Sequence, residues 1–196
     1  MLSLALAAGL MSGCATEPAQ GLPSLAQPEV SAPHARLLMR ANVAPNQRFI
    51  VLQQQDNNSC TQPVLVGRGT AQQAASPVRL PVGQLVTLEF VIVTPSTKHG
   101  CASRWSFTPR AGQTYLVQGA TVGTACPAVL VDVTTPDRPS PPPDLLNRVA
   151  PGQNCLPLDK SLRLNVNSAI QGGQHNGEAV LNPNATTRDL EGLIKR

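Results

Sequence analysis

The sequence predicts an all-β chain folded as a single antiparallel β-sandwich, and three observations lead there. Apolar residues come in short β-branched and aliphatic runs that partly alternate with polar ones, the pattern of a strand with one buried face. The 19 prolines and 15 glycines interrupt these runs at close intervals, which suits tight turns and works against long helices. Four of the five cysteines, Cys60, Cys101, Cys126 and Cys155, are spread through the body of the chain, as in a disulfide framework.

The elements follow in order. Residues 36–43 read as a first strand, with a turn at Ala44-Pro45-Asn46. Residues 47–55 form a clearer strand that runs into the polar loop Asp56–Ser59. Val64–Val66 is short and stops at Gly67 and Gly69. Val78–Leu80 is an edge piece bounded by Pro77 and Pro81, which cannot donate to a ladder. After Gly83, residues 84–93 make the central strand. Thr94–Gly100 is a loop.

Residues 101–108 alternate, placing Cys101, Ser103, Trp105 and Phe107 on the expected core side. Pro109–Gly112 then turns the chain into a return strand, 113–118. Trp105, the only tryptophan, reads as a core anchor because of its large apolar area. Residues 128–134 form another strand, and 156–166 hold a last one on Leu162, Leu164 and Val166. An immunoglobulin-like or transthyretin-like sandwich accommodates this order, with a small barrel as the alternative.

Two segments fall outside the strand pattern. Residues 136–144 carry five prolines in nine positions, which forbids a ladder and predicts a stiff surface loop. A docking ligand for a proline-recognising domain is the other reading. Residues 167–196 form a polar, mobile tail. Within it, Thr186-Thr187-Arg188-Asp189 looks like a cap for a short helix over 187–195, with Leu190, Leu193 and Ile194 on one face.

Composition bounds function. Fifteen basic and eleven acidic residues give a net charge of +4, but the basic residues are scattered singly. This excludes a nucleic-acid-binding stripe. Cys60, Cys101, Cys126 and Cys155 allow three pairings; Cys101–Cys126, bracketing one hairpin, and Cys60–Cys155, tying the end of the domain to its start, are preferred. No C-x-x-C spacing occurs and His99 stands beside Cys101 alone, so no metal is expected.

At the N-terminus, Leu2–Leu10 is an apolar run too short to span a bilayer. It leads into Leu10-Met11-Ser12-Gly13-Cys14, which resembles the lipobox of bacterial lipoprotein precursors. The resemblance implies that residues 1–13 are a signal peptide and that Cys14 carries a diacylglycerol thioether and becomes the acylated N-terminus. Residues 14–35, with Pro18, Pro23, Pro28 and Pro33, then read as a lipidated flexible tether to a domain over 36–166. Ala15 after the cysteine implies, by the sorting rule of that family, the outer membrane rather than the inner one; the expected address is the periplasmic face of that membrane. Several acyl chains together would hold such a chain stably on the membrane. Residues 107–117 further resemble a motif of uncharacterised proteobacterial lipoproteins with PEGA-like sandwich domains, a likeness that implies fold alone.

No G-x-S-x-G, H-E-x-x-H or phosphate-cradling glycine loop is present. His34, His99 and His175 lie in segments read as tether, loop and tail, and Asp132, between Val131 and Val133, is explained by an outward strand position. The chain therefore reads as a non-enzyme without a cofactor. The expected role is structural or assembly work in an envelope protein complex, through a sheet edge, the proline segment or the C-terminal helix. The alternative is a ligand-binding or enzyme-inhibitor module; five aromatic side chains make a sugar platform the weaker form of it, and an inhibitor would use the loop Thr94–Gly100.

Overall fold

A computed structural model describes residues 21–94, 99–123, 125–150 and 155–164. Cys14, His175 and the helix expected over 187–195 lie outside the described residues. The strands are β1 (Ala35–Asn42), β2 (Arg48–Asp56), β3 (Thr61–Thr70), β4 (Ala75–Leu80), β5 (Val86–Thr94), β6 (His99–Phe107), β7 (Thr114–Ala120), β8 (Ala128–Asp132), β9 (Leu146–Asn147) and β10 (Leu162–Arg163). They form two sheets, in the orders β4-β1-β7-β8 and β10-β9-β6-β5-β2-β3. The fold is all-β and has the layout of a sandwich.

One pairing departs from the antiparallel expectation. β1 and β7 run parallel in unbroken register from Arg36↔Thr114 to Asn42↔Ala120. Parallel neighbours need a long crossover, and here it is most of the other sheet: β2, β3, β5 and β6 all intervene in sequence. The same topology corrects the expected hairpin over 101–118. β6 belongs to the six-stranded sheet and β7 to the four-stranded one, so Pro109–Gly112 carries the chain between layers.

Alternation fills the space between the sheets. Leu37, Met39, Phe49, Val51, Leu88, Phe90, Phe107, Tyr115 and Val117 are all buried there. Trp105 is buried among them. Phe49 stacks on Phe90 at 5.7 Å, and Phe107 meets Tyr115 edge-on at 4.9 Å. Gly119 sits where the sheets approach closely, since a Cβ there would overlap the Phe90 ring; Gly69 faces its cross-strand partner Phe49 within one sheet, where a Cβ would overlap the Phe49 ring and the Gln73 carbonyl. β3 runs through Gly67 and Gly69, paired with Val51 and Phe49, rather than stopping there.

Both disulfides join parts distant in the topology. Cys101 in β6 bonds Cys126 in the β7–β8 connection, with Cα atoms 6.1 Å apart, and so staples one sheet to the other. Cys60, between β2 and β3, bonds Cys155, 95 residues on, at a Cα separation of 6.0 Å.

Residues 23–28 are docked rather than free. Leu25 N–H donates to Leu65 O and Leu65 N–H to Pro23 O, each at 2.8 Å, adding a short piece to the edge of β3. Arg79 N–H donates to Gln27 Oε1 at 2.9 Å and Arg79 Nε to Pro28 O at 2.8 Å, on the edge of β4. The prolines keep this strap extended, as a tether would be, but the sheet edges supply donors and acceptors that hold it down.

The C-terminal part of the domain also differs from expectation. A 3₁₀ turn, Leu158–Lys160, and the two-residue β10 replace a strand over 156–166, of which 165–166 lie outside the described residues. β9 adds to β6 just after the proline-rich segment, pairing Trp105 with Asn147 and Ser106 with Leu146.

Candidate functional site

Sheet edges offer unpaired backbone groups to other chains, so the way each is closed shows where pairing is still possible. The edge of β3 carries Pro63 and the Pro23–Leu25 piece; the edge of β4 carries Pro77 and the Gln27–Pro28 contacts. β8 is different. Asp132 exchanges both backbone hydrogen bonds with Ser140, at 2.7 and 3.1 Å, while Val133 N–H turns inward to Thr114 O at 2.8 Å. Strand alternation therefore points the backbone groups of Leu130 and Ala128 outward too, and no described residue pairs with them.

The face beside this edge is apolar at its centre and cationic at its margins. In register across three strands lie Leu38, Leu116 and Val131, each half-buried, with Val129 52% exposed next to them. Arg36 and Arg40 flank Leu38 on the same side of β1. Arg40 is aligned by Gln118, whose Oε1 accepts from Nε at 2.9 Å and Nη2 at 2.7 Å. No carboxylate occupies a strand position on this face. The surface thus suits an extended segment bearing apolar and acidic side chains in alternation.

The opposite outer face, on the six-stranded sheet, carries half-buried Ile50, Leu52, Val91 and Val93 toward one end and a hydrogen-bonded polar cluster toward the other. Arg104 pairs with Glu89 at 2.6 Å, and Gln54 Nε2 donates to Glu89 Oε2 at 2.6 Å. Farther along the same face Thr87 and Ser106 share a hydroxyl hydrogen bond of 2.7 Å. Arg148 lies wholly buried against them. Its guanidinium donates to Leu156 O (2.6 Å), Asn57 O (2.7 Å), Ser106 Oγ (2.7 Å) and Asn58 O (3.0 Å), and reaches Cys155 Sγ at 3.3 Å. Burial lowers its pKa, and repulsion from Arg104 lowers it further.

An open cavity of about 600 Å³ lies under the strap, lined by Gln53, Gln55, Gln84, Ser24, Val64 and Pro81 among others. Its walls carry no ionisable side chain. Gln53 is 9% exposed and its Oε1 has no hydrogen-bond partner.

The residues singled out in the sequence are dispersed. Cys60 and Cys155 sit beside Arg148, whereas Cys101 and Cys126 lie at the opposite connection between sheets. His34 bonds Ala32 O at 2.8 Å through Nδ1. Asp132 caps the end of β8 by accepting from Thr134 N–H at 2.8 Å. The proline-rich segment is a crossing between the sheets: Ser140 extends β8, Pro142 and Leu145 are buried, and Asp144 Oδ2 accepts from Thr108 N–H at 2.9 Å. Of the loop Thr94–Gly100, residues 95–98 lie outside the described residues. Among the described residues no three His, Cys, Asp or Glu side chains converge, and no helix is long and apolar enough to cross a membrane.

Reasoning from the sequence alone missed Arg148 and the β8 edge. Arg148 follows Leu145, Leu146 and Asn147 but carries no local pattern, because its partners come from 57–58, 106 and 155–156. The openness of β8 depends on strand order, which periodicity does not encode. No family model and no curated protein matches the chain.

Proposed function

We propose that this chain is an outer-membrane lipoprotein, anchored through Cys14 on the periplasmic face, that serves a structural or assembly role in an envelope protein complex. In this reading it binds a protein partner by strand addition at β8 and performs no reaction itself. The observation that carries it is the pairing of an open edge at Ala128 and Leu130 with the apolar, arginine-flanked face of Leu38, Leu116, Val131 and Val129. Of the other outer strands, β3 and β4 carry proline and the docked strap and β10 is only two residues long, all devices that limit indiscriminate pairing.

The lipid anchor rests on the lipobox resemblance at Cys14, and the two disulfides suit an oxidising compartment. The test is affinity purification from crosslinked membranes of the native form and of Cys14→Ser. The reading expects Cys14→Ser to leave the membrane fraction and to lose a stoichiometric partner; a Cys14→Ser form that stays membrane-bound contradicts the anchor.

A ligand-binding role is the second reading, and the uncharged cavity beside Gln53 favours it. Such a site would take a neutral ligand rich in amide or hydroxyl groups.

A further inference from the structure

We propose that the Cys60–Cys155 disulfide is a thiol-exchange site, opened by attack of an external thiolate on Cys60 with Cys155 leaving as a thiolate held by Arg148. The inference is independent of the membrane reading.

Arg148 is a buried cation with no carboxylate partner among the described residues. Its contacts are three backbone carbonyls, the Ser106 hydroxyl and Cys155 Sγ at 3.3 Å. A buried charge is costly unless a counter-charge meets it. Of these partners, only the sulfur can readily gain a negative charge. A cation beside a sulfur stabilises its thiolate and makes it the better leaving group.

The other charged groups do not cancel this effect. Arg104 adds positive potential, offset by its pairing with Glu89 at 2.6 Å. Asp56, in the turn that holds Cys60, is directed toward Asn58 N–H and the Ser59 N–H and hydroxyl. The Asn58 carbonyl lies 3.4 Å from Cys155 Sγ, but Arg148 Nη2 already donates to it at 3.0 Å.

Cys60 is the sulfur left for attack. Both cysteines are half-exposed, but only Cys155 Sγ meets a donor; no described donor meets the Cys60 sulfur, and its neighbours Asn58 and Ser59 are exposed. Its φ of 50°, with 58° at Gln62, places two side-chain-bearing residues in the left-handed region at the point the disulfide holds. Cys101–Cys126 has no arginine contact among the described residues and serves as an internal control.

A thiolate bonds to Cys60 Sγ, the Cys60–Cys155 bond breaks, and its electron pair stays on Cys155 Sγ. A second external thiolate then attacks the donor sulfur of the mixed disulfide. The donor pair leaves oxidised, Cys60 takes a proton from water, and the protein has gained two electrons. The co-reactant is a thiol of the glutathione or dithiol-oxidoreductase class.

The test uses the full chain in glutathione buffers of graded thiol-to-disulfide ratio, acid-quenched and mapped by mass spectrometry. Cys60–Cys155 should open at a ratio at least about tenfold lower than Cys101–Cys126, with the glutathione adduct on Cys60. In the reduced protein, iodoacetamide should modify Cys155 at least about tenfold faster than Cys60 at pH 6. Arg148→Lys should keep much of that preference and Arg148→Met abolish it. If both variants unfold, the rate ratio in the unaltered protein decides. Opening of Cys101–Cys126 first, an adduct on Cys155, or equal alkylation of the two thiols would overturn the proposal.

Discussion

Arg148 donates to the Ser106 hydroxyl over 2.7 Å, and Ser106 in turn shares a 2.7 Å hydrogen bond with Thr87. These contacts tie the short β9 region to the middle of the six-stranded sheet. The rest of the guanidinium secures the 57–58 turn and Leu156. Replacing Arg148 with Met keeps bulk but leaves buried carbonyls unsatisfied. The expected loss is at least about 3 kcal/mol, read as a lower urea midpoint. An unchanged midpoint would show that those carbonyls find water.

The two disulfides should differ in stabilisation. In the chain-entropy model, the 95-residue separation of Cys60–Cys155 corresponds to roughly 4–5 kcal/mol and the 25-residue separation of Cys101–Cys126 to roughly 3–4 kcal/mol. Equilibrium denaturation of the two double Cys→Ser variants checks the order. A larger loss from the Cys101/Cys126 pair would mean that its cross-sheet position outweighs loop length.

Much of the strand order along the chain was legible, and the reasons are local. Residues 47–55 hold the continuous apolar run Phe49–Leu52, and residues 84–93 are β-branched and partly alternate, so β2 and β5 could be read from local sequence. β9 could not, because two residues carry no period and it exists only through pairing with Trp105 and Ser106. The strap was read as free because Pro23 and Pro28 fit an extended tether equally well; its docking depends on Leu65 and Arg79, far along the chain. Of the candidate site, the apolar positions Leu38, Leu116 and Val131 were visible as strand residues. Their alignment needed the parallel β1–β7 register, a product of topology.

Gly119 should not tolerate a side chain. A methyl group there would meet the Phe90 ring, itself fixed by Phe49. Gly119→Ala should cost about 2–3 kcal/mol with an unchanged denaturant slope. A neutral result would show that the sheets can separate slightly at this point.

Tyr115 is the only tyrosine, so its phenolate absorbance can be followed directly. Burial raises its pKa above 10.0; the Arg110 N–H bond to its hydroxyl opposes this and the Asp132 charge adds to it. A raised native value means that the unfolded state loses its proton first. Tyr115 therefore contributes stability fully below about pH 10, and that contribution is lost as pH rises through the native midpoint. Ultraviolet titration should place the native midpoint above that of the guanidinium-unfolded chain. Coincident midpoints would contradict the burial argument.

The most direct measurement of the proposed role is site-directed photo-crosslinking in intact envelopes, with a crosslinking residue in place of Val129 and, as a control, in place of the exposed Arg68 on β3. A single protein adduct is expected from position 129, none from 68, and loss of that adduct when Arg40→Glu reverses charge at the rim. Equal labelling from both positions, or an adduct indifferent to Arg40→Glu, would contradict the assignment of β8 and its face as the docking surface.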